Sequence, residues 1–152
     1  PKAMLRLRGA SSPVEDFTHG QFEPVLDDDR ALDAATVRKV VLVSGKLYWE
    51  LRATLDKSGD TSVALVRLEQ YYPLPEEELL HVLGEYPSAD LVWAQDEPEN
   101  QGAWPFLAVH LRALLGDRDL KVVSRAAAAS PATGSQVRHK QEEAELVARA
   151  LS

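Results

Sequence analysis

The sequence predicts an α/β fold, a three-layer αβα sandwich around a mostly parallel sheet, and three observations carry that reading. Short apolar runs rich in β-branched residues alternate with amphipathic helical stretches. The runs show no polar alternation, as expected of strands buried on both faces. The stretches between them are roughly ten residues or longer, enough for right-handed βαβ crossovers.

Val40-Val41-Leu42-Val43, between Lys39 and Ser44-Gly45, is the first such run. The helix after it places Leu47, Leu51 and Leu55 one turn apart and stops at Ser58-Gly59. Val63-Ala64-Leu65-Val66 is the second strand. Pro75 then opens a helix whose Glu76, Glu77 and Glu78 suit its positive N-terminal end, with Leu79, Leu80 and Leu83 as its apolar stripe. Leu91-Val92-Trp93-Ala94 is the third strand, followed by a helix marked by Trp104, Leu107, Ala108, Leu111 and Leu115. Leu120-Lys121-Val122-Val123 is the fourth. A loop over 126–136 leads to a last helix with Val147 and Leu151 on one face and Glu142, Glu143 and Arg149 on others.

Residues 1–36 sustain no period. Ser11-Ser12-Pro13 with Val14-Glu15-Asp16-Phe17 reads as a turn and one helical turn, and Asp27-Asp28-Asp29 with Arg30-Ala31-Leu32-Asp33 as an exposed connector. The expected division is a connector over 1–36, lying across an upstream neighbouring domain, and a folded unit over 37–152. Pro1-Lys2-Ala3 opens without an initiator methionine, so the expectation is a segment of a longer polypeptide, the alternative being a mature chain that has lost a leader.

The 152 residues, 45% hydrophobic and 27% charged, fit one domain with its own core. Without cysteine there is neither a disulfide framework nor a thiolate metal site. A net charge of -7 with scattered basic residues argues against a nucleic-acid surface. No apolar run approaches the ~18–20 residues that span a bilayer, and no signal peptide opens the chain. Together these point away from membrane and nucleic-acid partners.

No G-x-x-x-x-G-K-[ST] loop, G-x-G-x-x-G turn or G-x-S-x-G elbow occurs. Of the histidines, His81 and His110 read as helix residues and His19 and His139 as loop residues, with none in a metal-binding pattern. Asp96-Glu97, with Glu99 nearby, follows the third strand. These carboxylates suit acid–base work or a cation, or else a helix cap and an ion pair. Gly45 lacks a Cβ where a strand turns into a helix, the amides beyond it would face an anion, and Lys46 adds a charge. Asn100-Gln101-Gly102 forms the equivalent edge after the third strand. Parallel pairing would bring both to one end of the sheet, where a nucleotide-like phosphate is a reasonable ligand. The competing reading makes Ser44 and Asn100 helix caps and pairs Arg6 with an acid across a domain boundary. Trp93, Trp104, Tyr71 and Tyr72 read as core or interface anchors.

The run Gln95-Asp96-Glu97-Pro98-Glu99-Asn100-Gln101-Gly102-Ala103-Trp104 resembles the Q-E-E-P-x-N-Q-G-A-W stretch of 2-oxoglutarate dehydrogenase first components, with Asp96 in place of a glutamate. Pro1-Lys2-Ala3-Met4-Leu5-Arg6, Ser44-Gly45-Lys46-Leu47-Tyr48, Val66-Arg67-Leu68-Glu69-Gln70-Tyr71-Tyr72-Pro73-Leu74-Pro75 and Ser124 through Gly134 resemble four further blocks of that family, in the same order. The resemblance implies a transketolase C-terminal-domain-like fold, with a pyrimidine-binding-type domain upstream of the 1–36 connector. It implies a homodimeric cytoplasmic parent using thiamine diphosphate and Mg²⁺ to decarboxylate 2-oxoglutarate in the citric acid cycle. That parent would pass the succinyl unit to the lipoyl group of a succinyltransferase, alongside a dihydrolipoyl dehydrogenase.

The family's G-D-G…N diphosphate motif is absent, so this chain is expected to hold neither thiamine diphosphate nor a metal and to contribute no catalytic residue. Packing, dimer support and regulation remain. The resemblance to actinobacterial-type members implies an acetyl-CoA site at Arg6, Ser44, Lys46, Gln95, Gln101 and Gly102. The alternatives are a free-standing nucleotide- or CoA-binding module, and the same domain of another thiamine-dependent enzyme, whether a 2-oxoacid or acetoin-type dehydrogenase or a transketolase. Those last relatives keep a shorter glycine-rich edge in place of the Gln95–Trp104 run.

Overall fold

The computed structural model describes Lys2 and residues 4–152. Pro1 and Ala3, and with them part of the Pro1–Arg6 block, lie outside the described residues. Five strands form one sheet in the order β1-β3-β2-β4-β5: β1 (Val25–Leu26), β2 (Lys39–Val43), β3 (Val63–Leu68), β4 (Asp90–Pro98) and β5 (Leu120–Arg125). All neighbours are parallel except β1, which runs antiparallel to β3. A short helix α1 (Val14–Thr18) precedes the sheet, and α2 (Lys46–Ser58), α3 (Glu76–Gly84), α4 (Trp104–Leu115) and α5 (Gln136–Leu151) cover it.

The side-chain alternation of the strands divides the core in two. Val40, Leu42, Ala64, Val66, Leu91 and Trp93 point to one face, where Leu79 and Leu83 of α3 and Leu107 and Leu111 of α4 pack. Val41, Val43, Leu65 and Ala94 point to the other, against Leu51 and Leu55 of α2 and Leu146 and Ala150 of α5. The three layers are thus α3/α4, sheet and α2/α5. Two helix stripes differ from expectation by one residue. Leu80 is 46% exposed while Leu79 and Leu83 are buried, and in α5 the buried line is Leu146 and Ala150, with Val147 and Leu151 flanking it. Periodicity alone gives a stripe; the docking angle of the helix chooses its centre.

The segment expected to lie across another domain is partly built into this one. Val25 is buried in the core, and Leu32 and Ala34 pack against it. The acidic run also does more than solvate a connector. Asp28, its side chain 2% exposed, takes Arg30 at 2.6 Å and accepts the Leu65 amide at 2.8 Å, while Arg30 donates to the carbonyls of Asp60 and Val63. Side chains therefore satisfy the outer edge of β3 where β1 is too short to cover it. Residues 4–22 contain no buried side chain, and Leu5, Phe17 and Phe22 are exposed.

Candidate functional site: the hollow at the carboxyl ends of β2 and β4

From β2 the chain moves outward to β3 on one side, then crosses back to β4 on the other side of β2. The helices that follow β2 and β4 leave on opposite faces. A crevice opens beyond strand ends where direction reverses in this way. It is a hollow of about 320 Å³, lined by Ser44–Leu47, Tyr71, Trp93–Glu97, Gly102 and Ala103. Val43 pairs with Ala94, so Ser44, just past β2, stands beside Gln95, still within β4.

Gly45 makes the turn into α2 at φ 63° and ψ −138°, a conformation L side chains rarely adopt. An added Cβ would meet nothing within 4 Å, so the glycine serves the turn itself. No side chain caps α2, whose first residues, Lys46 and Leu47, line the hollow. Gly102, at φ 65°, lies so close to Gln95 and Glu97 that a Cβ would come within 3.0 Å of the Glu97 Cβ.

Ser44, Lys46, Gln95 and Gly102 thus line one hollow. Arg6 is exposed, sits in a 3₁₀ turn (Met4–Arg6) and is not among the residues lining it. Gln101 turns away, donating its side-chain amide to the Ala128 carbonyl at 2.8 Å. Gln95 is 4% exposed and committed to the protein. Its Oε1 accepts from Trp93 Nε1 at 3.0 Å and the Trp104 amide at 2.9 Å, and its Nε2 donates to the carbonyls of Pro98 at 3.0 Å and Gln101 at 2.8 Å. Both polar atoms are satisfied, so Gln95 fastens the β4–α4 turn. The helix-cap reading also fails, because neither Ser44 nor Asn100 caps a helix: Asn100 instead pairs with both backbone groups of Ala128.

Lys46 is held between Glu50 of α2 and Glu143 of α5. Burial favours the neutral amine, but the two carboxylates outweigh it and raise the lysine's pKa. Burial and the neighbouring Glu143 carboxylate push Glu50 up despite Lys46. Glu143 lies lower than usual, because Lys46, Glu50 and His139 outweigh its burial. One oxygen of Glu50, Oε2, is buried without a partner. His139 belongs to α5 and not to a loop, and stands one turn before Glu143, 3.7 Å away. This pairing escaped the sequence reading because His139 was read as a loop residue, with no helical spacing to Glu143.

Asp96 is drawn out of any acid–base role by Arg125 of β5, whose guanidinium meets it at 2.7 Å and Glu142 of α5 at 2.5 Å. Hydrogen bonds from Thr133 and Arg138, with Arg125 adding its charge, hold the Glu142 carboxyl down at about 2. Beyond Arg125 a second, larger hollow of about 1210 Å³ opens between the 126–135 loop and α5. Trp93 and Trp104 are buried as expected, whereas Tyr72 is 83% exposed and Tyr71 stands edge-on to Trp93 at the hollow, its phenol pushed up by burial. Tyr71 was the overlooked lining residue. Its position just past β3, at the same end of the sheet, was the available signal. Among the described residues no cluster of three or more histidine, aspartate or glutamate side chains is placed to hold a metal, and no helix is long and apolar enough to cross a membrane.

Residues 11–151 match the family described as 2-oxoglutarate dehydrogenase C-terminal. The chain belongs to that family. It is 44% identical to the 2-oxoglutarate dehydrogenase E1/E2 component of Corynebacterium glutamicum over 99% of its length, and 41% identical to the multifunctional 2-oxoglutarate metabolism enzyme of Mycolicibacterium vanbaalenii over 99%. With the 2-oxoglutarate dehydrogenase E1 component of Cupriavidus necator it shares 38% identity over 100%. The chain spans only 13% of the first two relatives and 16% of the third. Among solved structures, an inactive β4 tetramer of a split-gene transketolase superposes with a TM-score of 0.54 over 86% of this chain and 43% of that one. At 14% identity that likeness speaks for the fold alone, and it agrees with the transketolase-like α/β architecture expected of the family.

Proposed function

We propose that this chain is the non-catalytic, regulatory C-terminal domain of a 2-oxoglutarate dehydrogenase first component, and that its hollow takes the phosphate-bearing part of acetyl-CoA. The observation that carries the reading is the juxtaposition of Ser44-Gly45-Lys46, with uncapped helix amides, and Gly102 across a crevice at the sheet's topological reversal. A volume of about 320 Å³ lies at the small end of ligand pockets, which run from about 300 to 1,000 Å³. A diphosphate or nucleotide portion fits that space better than a whole acyl-CoA. Ser44, Lys46 and Gly102 are the contacts we retain. Gln95 shapes the floor, Gln101 contributes through its backbone position, and Arg6 would reach the ligand only from outside the hollow.

For the complete protein we propose decarboxylation of 2-oxoglutarate and transfer of the succinyl group to a lipoyl-bearing succinyltransferase, in a cytoplasmic homodimer working with a dihydrolipoyl dehydrogenase. Thiamine diphosphate and Mg²⁺ would supply the carbanion chemistry from residues outside this chain. The residues lining this hollow do not fit that group, since Asp96 is taken by Arg125, Lys46 is held by Glu50 and Glu143, and no G-D-G stretch exists.

Calorimetric titration with acetyl-CoA tests the regulatory reading. Heat that disappears in Lys46→Ala is expected, and flat traces at millimolar ligand would remove the site. Decarboxylation of 2-oxoglutarate should be measurable in the full-length protein and absent from residues 1–152 alone.

A further inference from the structure

The lysine at this anion hollow is already occupied. Lys46 lines the hollow, and its Nζ lies against Glu50 and Glu143 together, so two carboxylates that do not themselves line the hollow hold one ammonium that does. The two acids differ in what they report. Glu50 sits on the same helix, one turn beyond Lys46, and travels with it. Glu143 comes from α5, 97 residues away in the chain, and reaches Lys46 only while α5 lies against α2. The neighbouring Glu142 points the other way, to Arg125 and Thr133 at the 126–135 loop. Adjacent residues of one helix therefore hold Lys46, which lines the small hollow, and Arg125 and Thr133, which line the large one.

We propose that Glu143 is an autoinhibitory latch: it occupies Lys46 and must let go before a phosphate-bearing ligand can take that ammonium. This rests on the acetyl-CoA reading of the hollow. An anion arriving at the Gly45 turn meets an ammonium already paired with two carboxylates, and its charge opposes both acids. Binding therefore exchanges the Lys46–Glu143 pair for a Lys46–phosphate pair. The released Glu143 has His139 one turn away on its own helix, 3.7 Å off, as an alternative partner. The unpartnered Oε2 of Glu50 is in keeping with a cluster that holds one acid more than its lysine can satisfy. Because α5 carries the latch, occupancy of the hollow is coupled to the seating of α5 and to the 126–135 loop that Glu142 ties down.

The experiment is calorimetric titration of acetyl-CoA, at fixed low ionic strength, into wild-type chain, Glu143→Gln, Glu143→Ala and Glu145→Gln. Glu145 lies on α5 within hydrogen-bond reach of Gln141 and is not one of the acids on Lys46, so it controls for the same loss of charge elsewhere on the helix. Thermal melts followed by circular dichroism establish that each variant is folded. Both Glu143 variants should bind acetyl-CoA about three- to five-fold more tightly, as removal of a partly exposed competing pair predicts. Glu145→Gln should match wild type. Unchanged or weaker binding in folded Glu143 variants, with wild-type binding intact, overturns the latch and leaves the site. Equal tightening by Glu145→Gln also overturns it, in favour of overall charge. No binding by any of the four chains removes the site itself, and the latch with it.

Discussion

Gln95→Glu distinguishes a ligand contact from a structural fastener with almost no change in shape. Oε1 keeps its two donors, Trp93 Nε1 and the Trp104 amide, so that half of the interaction survives. Nε2 becomes an oxygen facing the carbonyls of Pro98 and Gln101, at 3.0 and 2.8 Å. Two hydrogen bonds, each contributing about 1 kcal/mol, are lost, and a buried carboxylate confronts two acceptors. Protonation restores one donor and limits the loss, which gives an expected destabilisation of about 2–4 kcal/mol near neutral pH. The introduced carboxyl should titrate above its unfolded value of about 4.3, because burial and the facing carbonyls disfavour its charge. A pKa raised on folding means that the protonated form is favoured in the native state. The deficit is therefore smallest below the unfolded value and grows as pH rises through the folded one. Urea denaturation of both chains between pH 4 and pH 8 measures it. A Gln95→Glu chain as stable as wild type at pH 8 would refute the fastening role and return Gln95 to the list of ligand contacts.

Asp28→Ala should cost about 2–4 kcal/mol in urea unfolding, because it leaves the Leu65 amide at the β3 edge without its acceptor and the half-buried Arg30 guanidinium without its carboxylate. In wild type, burial pushes Asp28 up but Arg30 and the Leu65 and Arg30 amides pull it further down, so its folded pKa is depressed. The stability it contributes is thus present above the unfolded value of about 3.9 and disappears as pH falls through the lower folded value, which an acid titration of Tm in wild type and Asp28→Asn would reveal. Gly45→Ala should lose about 1–3 kcal/mol through backbone strain alone, since its Cβ would have open space; an unchanged midpoint would mean that the turn relaxes freely. Arg125→Gln removes the link from Asp96 of β4 to Glu142 of α5, and hydrogen exchange should then quicken in α5 while α2 and β2 stay protected.

The order and type of the main elements were legible from the chain because their signals are local. A buried strand such as Val40–Val43 is apolar at every position, a helix such as Leu47–Leu55 repeats every turn, and Gly45 and Gly59 stand where the backbone takes positive φ. Parallel pairing then brings Ser44 and Gln95 to one end of the sheet, and the Gln95–Trp104 run carried the family. Tertiary structure alone decided what those side chains do there. Gln95 could not be seen as a fastener until the carbonyls of Pro98 and Gln101 and the indole of Trp93 stood around it. Asp28 could not be separated from its acidic neighbours until the bare edge of β3 supplied the Leu65 amide. Lys46 and Glu143 are 97 residues apart, and only the packing of α2 and α5 on the same face of the sheet brings their charges together. Backbone conformation is written in neighbouring residues, whereas charge and hydrogen-bond partnership depend on which distant elements share a face.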